Sequence, residues 1–272
     1  MGCIFCKQNT ETSVSVEHII PESLGNKEHI LPKGIVCDRC NNYFANKIER
    51  PMLDIPYFIS ARNRMAVENK KGRVPKDWGM LMSPWGSKVE LYHEADKNKG
   101  IGVLDEQTFQ WLSKQRKFTM IVPMNANPPN ENIFISKFLG KVAIEAFAKI
   151  GLGLDGGIDD VTHNIGLDPL RNYVRYGNGP KLWPYNMRQL YAEDQRFLDK
   201  GVINDFEVLH EYQLFQTSPN IWHLVLIIFG IEFCINLCDP TCLDYDAWLQ
   251  AHNYDSPLYG DFNNTDTINE NH

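Results

Sequence analysis

The 272-residue chain lacks the roughly twenty unbroken apolar residues that a membrane-spanning helix requires. Its most apolar stretch, IWHLVLIIFGIEFCINLC, is interrupted by His223, Gly230 and Glu232 and reads as two strands, so no membrane partner is expected. It also lacks internal repeats and a GxxxxGK[ST] loop, which argues against a solenoid or a phosphate-cradling P-loop. A basic coat is missing too, because the formal net charge is −7. No signal peptide is expected, since the N-terminus runs directly into a cysteine pair. Cysteines number seven, too few for a disulfide-rich secreted scaffold, and their pairing suits a reducing cytoplasm. Hydrophobic content of 43% and charged content of 22% are ordinary for a globular protein.

Four of the seven cysteines stand in two knuckles, Cys3–Cys6 (CIFC) and Cys37–Cys40 (CDRC). Each pair can wrap two thiolates around one ion, and two pairs complete the tetrahedron of a structural zinc site. Four thiolates leave that zinc no open position, so it should have no catalytic role. The competing reading, coincidental free thiols, fits this spacing poorly. Between the knuckles lies VEHIIPESLGN, with an acid–histidine pair, Glu17–His18, and Asn41 follows the fourth cysteine. SVSVEHII alternates like a strand, PESLGNKEHILPKG reads as a loop, IVC as a short second strand, and a helix begins at Asp38 as N-cap.

Residues from Cys3 to about Asp54 resemble the HNH (ββα-metal) endonuclease superfamily, in the branch whose zinc knuckles bracket a C-x-x-C … [DE]-H-I-x-P … C-x-x-C-N signature. One departure stands out. Many members carry an asparagine about five residues before the third cysteine, where this chain has Pro32, so another group must stiffen the loop and orient the histidine.

The resemblance implies metal-dependent hydrolysis of DNA phosphodiester bonds. Glu17 and Asn41 would hold a catalytic magnesium or manganese ion beside the zinc ligands Cys3, Cys6, Cys37 and Cys40. His18, with an imidazole value near 6.5, would be the general base. Asn42 and Asn46, one helical turn apart, are the alternative to Asn41. His29 could add a ligand or a phosphate contact, or face solvent. Two further readings stay open: a non-catalytic zinc-dependent adaptor for nucleic acid or protein, and an HNH nuclease acting on RNA. A role in prokaryotic antiviral defence is an expectation from the small nuclease module with an acidic companion.

The expected fold class is α+β, with a nuclease module over 1–75, a larger mixed domain over 76–260 and a flexible tail over 261–272. Residues 1–75 carry eleven Lys+Arg against eight Asp+Glu, and the remainder 16 against 26. Any DNA groove must then be local, and Arg62, Arg64, Lys70 and Lys71 are the expected nucleic-acid contacts. The second domain should recognise substrate, bind a protein partner or small-molecule activator, or regulate cutting. Dimerisation would permit double-strand cleavage.

Several other motifs favour structural readings. Cys234, Cys238 and Cys242 fall in an apolar strand and the following turn, where cysteine behaves as a small hydrophobe. Arg171 and Arg175, one turn apart, read as an exposed helical face. His163 beside DGGIDD reads as a surface turn, and GLGLDGG is no dinucleotide loop without a buried strand before it. IFISKFLGKVAIEAFAKIG is the clearest amphipathic helix, and residues 202–237 read as a β-meander.

Overall fold

The computed structural model describes residues 2–94, 98–123, 127–197 and 206–259; the expected tail lies outside them. The fold is α+β. Two compact units are present. The first joins Met1–Pro21, Asn26–Met52 and Pro129–His272; the second holds Glu22–Gly25 and Leu53–Pro128. Apart from the short Glu22–Gly25 stretch, the division thus falls at 52/53 and 128/129 rather than near residue 75. The N-terminal module packs with the last half of the chain, which supplies partners to its buried charges.

The chain opens with strand β1 (Glu17–His18), paired antiparallel to β2 (Ile30–Leu31) in the register Glu17↔Leu31 and His18↔Ile30. The expected strand at IVC is displaced to Ile30–Leu31. Pro32 has no N–H to donate and Gly34 turns the chain at φ +89°, so the ladder with β1 stops before the buried Ile35 and Val36, and the Ile35 carbonyl instead accepts from Ile4 N at 3.1 Å. Helix α1 (Asp38–Phe44) follows, runs through a π-helical turn at Ala45–Glu49, and continues as α2 (Arg50–Leu53). Its N-cap is Cys37, one residue before the expected Asp38. Asp38 instead accepts the N–H groups of Val14 (3.1 Å) and Ser15 (2.9 Å), tying the helix start to the segment entering β1.

The second unit carries α3 (Pro56–Arg64), opened by proline in its first turn, then β3 (Asp77–Leu81), β4 (Ser87–His93), β5 (Lys99–Val103), α4 (Glu106–Leu112) and β6 (Met120–Ile121). The strands form one antiparallel sheet in the order β5-β4-β3-β6. Asp105 caps α4 by accepting from Thr108 N at 2.7 Å.

Back in the first unit, α5 (Ile133–Gly151) is capped by Asn132, and α6 (Gly157–His163) and α7 (Asp168–Tyr176) pack against it. Strands β7 (Asn186–Gln189), β8 (Arg196–Phe197), β9 (Phe206–Glu207), β10 (His210–Ser218), β11 (Ile221–Ile228) and β12 (Ile231–Asn236) precede α8 (Leu243–Ala251). The expected meander is present as β10-β11-β12, closed on its far edge by β7. Helix α5, read as amphipathic from its periodicity, has more than one buried face. It is buried on nearly every side, Lys141 and Glu145 included, because the sheet, α6, α7 and the π-helical turn all pack on it. Among the described residues no helix is long and apolar enough to cross a membrane.

Candidate metal and nuclease site

The two cysteine knuckles meet. The Sγ atoms of Cys3, Cys6, Cys37 and Cys40 all lie within 4.8 Å of one another, and Cys6 and Cys37 are 3.6 Å apart. Tetrahedral zinc with bonds of about 2.3 Å needs sulfurs about 3.8 Å apart, so the donor set fits. Backbone N–H groups of residues 37 and 40 point at Cys3 and Cys37 sulfur, each at 3.4 Å. Arg175 Nε donates to Cys40 Sγ at 3.1 Å, and its guanidinium lies 4.3 Å over the Tyr43 ring. Such outer donors offset thiolate charge.

Without a cation the four thiols cannot all ionise. The Cys40 thiol holds Cys3 down to about 5, whereas burial pushes Cys6 up to about 11, and the bond to Cys3 pushes Cys40 up further still. A bound divalent ion supplies the charge that lets every ligand lose its proton.

Arg171 and Arg175 are therefore not an exposed helical face. Arg171 is 1% exposed and donates to the carbonyls of Ile4 (2.7 Å), Asn164 (2.7 Å) and Val161, and to Asp168. Together the two arginines bolt α7 to the zinc knuckles.

Glu17 is 4% exposed, and its Oε1 lies 2.7 Å from the Nζ of Lys141, which is fully buried. The same ammonium stands 2.8 Å from Glu49 Oε1 and 2.9 Å from Glu145 Oε2. It also donates to the backbone carbonyls of His18 (3.0 Å) and Ile19 (3.4 Å). Burial acts to lower the Lys141 value, but Glu145, Glu17 and Glu49 outweigh it and keep the ammonium charged. Burial raises both Glu17 and Glu145, with Lys141 opposing. Three carboxylates share one cation, and Glu145 is the most enclosed of them. Glu17 Oε2 is buried with no hydrogen-bond partner among the described residues.

Asn41 reaches back from the first turn of α1, donating Nδ2 to the carbonyl of Val16 at 2.9 Å, one residue before Glu17. That bond leaves Oδ1 as its acceptor. Asn42 and Asn46 engage each other instead, Asn46 Nδ2 donating to Asn42 Oδ1 at 2.7 Å. Both line a concavity of about 610 Å³ with Arg39, Tyr43, Lys47 and Arg175, where positive side chains disfavour a metal ion and favour an anion.

Sequence reasoning missed a residue that stiffens the loop between β1 and β2. Asn26 is buried and donates Nδ2 to the carbonyls of Ile20 (2.6 Å) and His29 (3.0 Å). Its Oδ1 accepts from Glu28 N (3.0 Å) and His29 N (2.9 Å), so one amide stitches the loop between β1 and β2. His29 is half-buried, packed edge-on to Tyr212 and His210 with centroids 5.0 and 5.8 Å away.

The expected nucleic-acid contacts lie in the second unit. Arg62 is buried and turns inward to the Leu53 carbonyl at 3.5 Å, which removes it from any phosphate surface. Arg64 is half-buried, and Lys70 and Lys71 are exposed in a turn held by Asn69.

Comparison with known proteins adds one match: residues 3–54 fit the family model described as HNH endonuclease. No curated protein and no solved structure matches the chain. The matched segment begins at the first zinc-suited cysteine and ends just past the helix carrying Asn41, and it contains His18 and Asn26. The N-terminal fifth of this chain is thus similar to the HNH endonuclease family, and its four-cysteine cluster is consistent with a zinc-knuckle form of it.

Proposed function

We propose that the first unit is a metal-dependent endonuclease that hydrolyses DNA phosphodiester bonds, with His18 as general base. The observation that carries this reading is the family match laid over one junction: His18 on a two-residue strand, its carbonyl held by Lys141, and Asn41 pinned to the residue two positions before it. A neutral imidazole can accept a proton from water, the role a general base needs. Glu17 Oε2 and Asn41 Oδ1 are the oxygens that would hold a magnesium or manganese ion. When bound, that ion polarises the scissile phosphate and stabilises the departing oxygen. The chain's own residues fix the geometry. Lys141 anchors the strand from beneath, Asn26 sets the loop, and the zinc knuckles hold the helix start against β1. Arg39 and Lys47, on the exposed face of the helix, are placed to take phosphates.

One observation favours the adaptor reading: Glu17 is enclosed and already partnered by Lys141. Plasmid, single-stranded and RNA substrates with magnesium or manganese decide between them. Wild type should cut DNA, and His18→Ala should lose on the order of 10²–10⁴ in rate at unchanged zinc content. A purified, zinc-loaded wild type that binds DNA without cutting it supports the adaptor, and cutting confined to RNA reassigns the substrate.

A further inference from the structure

The second unit carries a surface that the nuclease reading does not use. Residues 53–128 hold twelve Lys+Arg against eight Asp+Glu, whereas residues 129–272 hold nine against twenty. An acidic chain has thus gathered its positive excess into one unit.

That unit's sheet has one covered face. Leu81 and Val89 are buried on it, and α3 packs on β3 and β4. The other face is open and apolar. Trp78 is 38% exposed, Met80 43% and Ile121 54%. Directly paired residues share a face, and the pairs Trp78↔Glu90, Met80↔Lys88 and Met80↔Ile121 bring these side chains together across three strands. Lys88 Nζ stands 3.9 Å above the Trp78 ring, and Lys76 Nζ pairs with Glu90 at 2.6 Å, neutralising the acid there. Tyr92 continues the same face along β4. Its ring lies across Gly100, where an added Cβ would come within 2.5 Å of it. A glycine is what lets that ring lie flat on the sheet.

We propose that this face binds unpaired nucleic acid, with bases stacking on Trp78 beside Met80 and Ile121, and backbone phosphates held by Lys88. A protein partner would suit the apolar residues, but charge decides against it: the surface sits on the positive unit of a negative chain and already holds a cation over its exposed indole. A duplex hides its base faces, so a flat aromatic surface of this kind selects single strands. The inference rests on the nuclease reading only for the class of ligand, and it is measured without cleavage.

The test is a titration of full-length, zinc-loaded protein with fluorescent oligothymidylate of roughly 20 nucleotides and with a duplex of equal length, at low salt and without added magnesium or manganese. Wild type should prefer the single strand. Trp78→Ala should weaken it by about 5- to 150-fold and Trp78→Phe should keep most of the affinity. Lys88→Ala should lower affinity and flatten the salt dependence by about one unit of slope. Should Trp78→Ala misfold, Met80→Glu, which puts a negative charge on the same face, must weaken binding in its place. Unchanged affinity in the folded variants, equal binding of duplex and single strand, or loss of self-association in place of strand binding each overturns the proposal. His18→Ala separates the two readings: strand binding that depends on Trp78 in a wild type that never cuts would sink the nuclease and leave this surface standing.

Discussion

Lys141 Nζ and Glu17 Oε1 stand 2.7 Å apart, although 124 positions separate them along the chain. This contact makes the C-terminal half part of the core that holds the HNH-like segment. Lys141→Met should strand Glu17, Glu49 and Glu145 without their cation and cost about 3–5 kcal/mol. Glu145→Gln, which removes surplus buried negative charge, should leave stability within about 1 kcal/mol or raise it. Urea unfolding of the two variants checks both, and equal stability of Lys141→Met and wild type would remove the ion cluster from the account.

A fragment ending at residue 75 should not fold as a unit. It lacks Lys141 for Glu17, Arg175 for Cys40 and Arg171 for the Ile4 carbonyl. Circular dichroism and zinc retention read the outcome. A fragment that melts cooperatively with zinc bound would restore the independent module expected from sequence.

Zinc analysis should return one ion per chain. Stripping it with a strong chelator, or replacing Cys3 with Ser, should abolish the cooperative transition of the first unit, because binding and folding free energy are shared in such sites. Retention of the full melting transition in metal-free protein would contradict this.

Asn26→Ala should cost about 1–3 kcal/mol through backbone groups left unpaired in the loop. Because the loop leads from His18 back to the strand that pairs with it, turnover should fall more than binding. Kinetics at saturating and limiting DNA separate the two effects, and a fall in affinity alone would assign Asn26 to the substrate surface instead.

Acid should weaken the first unit through His223, buried in the core with Nε2 3.0 Å from Asp244 Oδ2. Burial lowers its value below 6.5, and Asp244 only partly opposes this. A depressed folded value means the unfolded chain takes up the proton first. Stability from this residue is therefore full above about 6.5 and declines as pH falls through the folded value. His223→Phe keeps the ring packing against Phe215, while Thr217 still donates to Asp244. Its melting temperature should fall less steeply with acid than that of wild type. Protonation of the zinc ligands affects both proteins alike, so parallel curves would acquit His223.

The cysteine spacing, the strand–helix order and the C-terminal meander were legible because local patterns encode them. Two cysteine pairs have few other uses at that separation, and alternating apolar residues specify strands whatever packs on them. Lys141 and Glu145 were not legible. Four residues apart on a helix, they have the form of an ordinary solvent-facing pair, and only the tertiary arrangement turns that stripe inward. Asn26 escaped notice because its function depends on two carbonyls brought near by the loop, not on its distance from a cysteine. The inward turn of Arg62 and Arg171 has the same origin: the charge is visible in sequence, its direction is not.

The polypeptide leaves the zinc-suited unit after Met52 and re-enters it at Pro129. A stretch moored at both ends is a cassette. Its composition can drift or be exchanged between relatives with little penalty, while the halves flanking it must change in concert. Variation among descendants of this gene should accordingly concentrate in the cassette, and paired changes should link the two flanks.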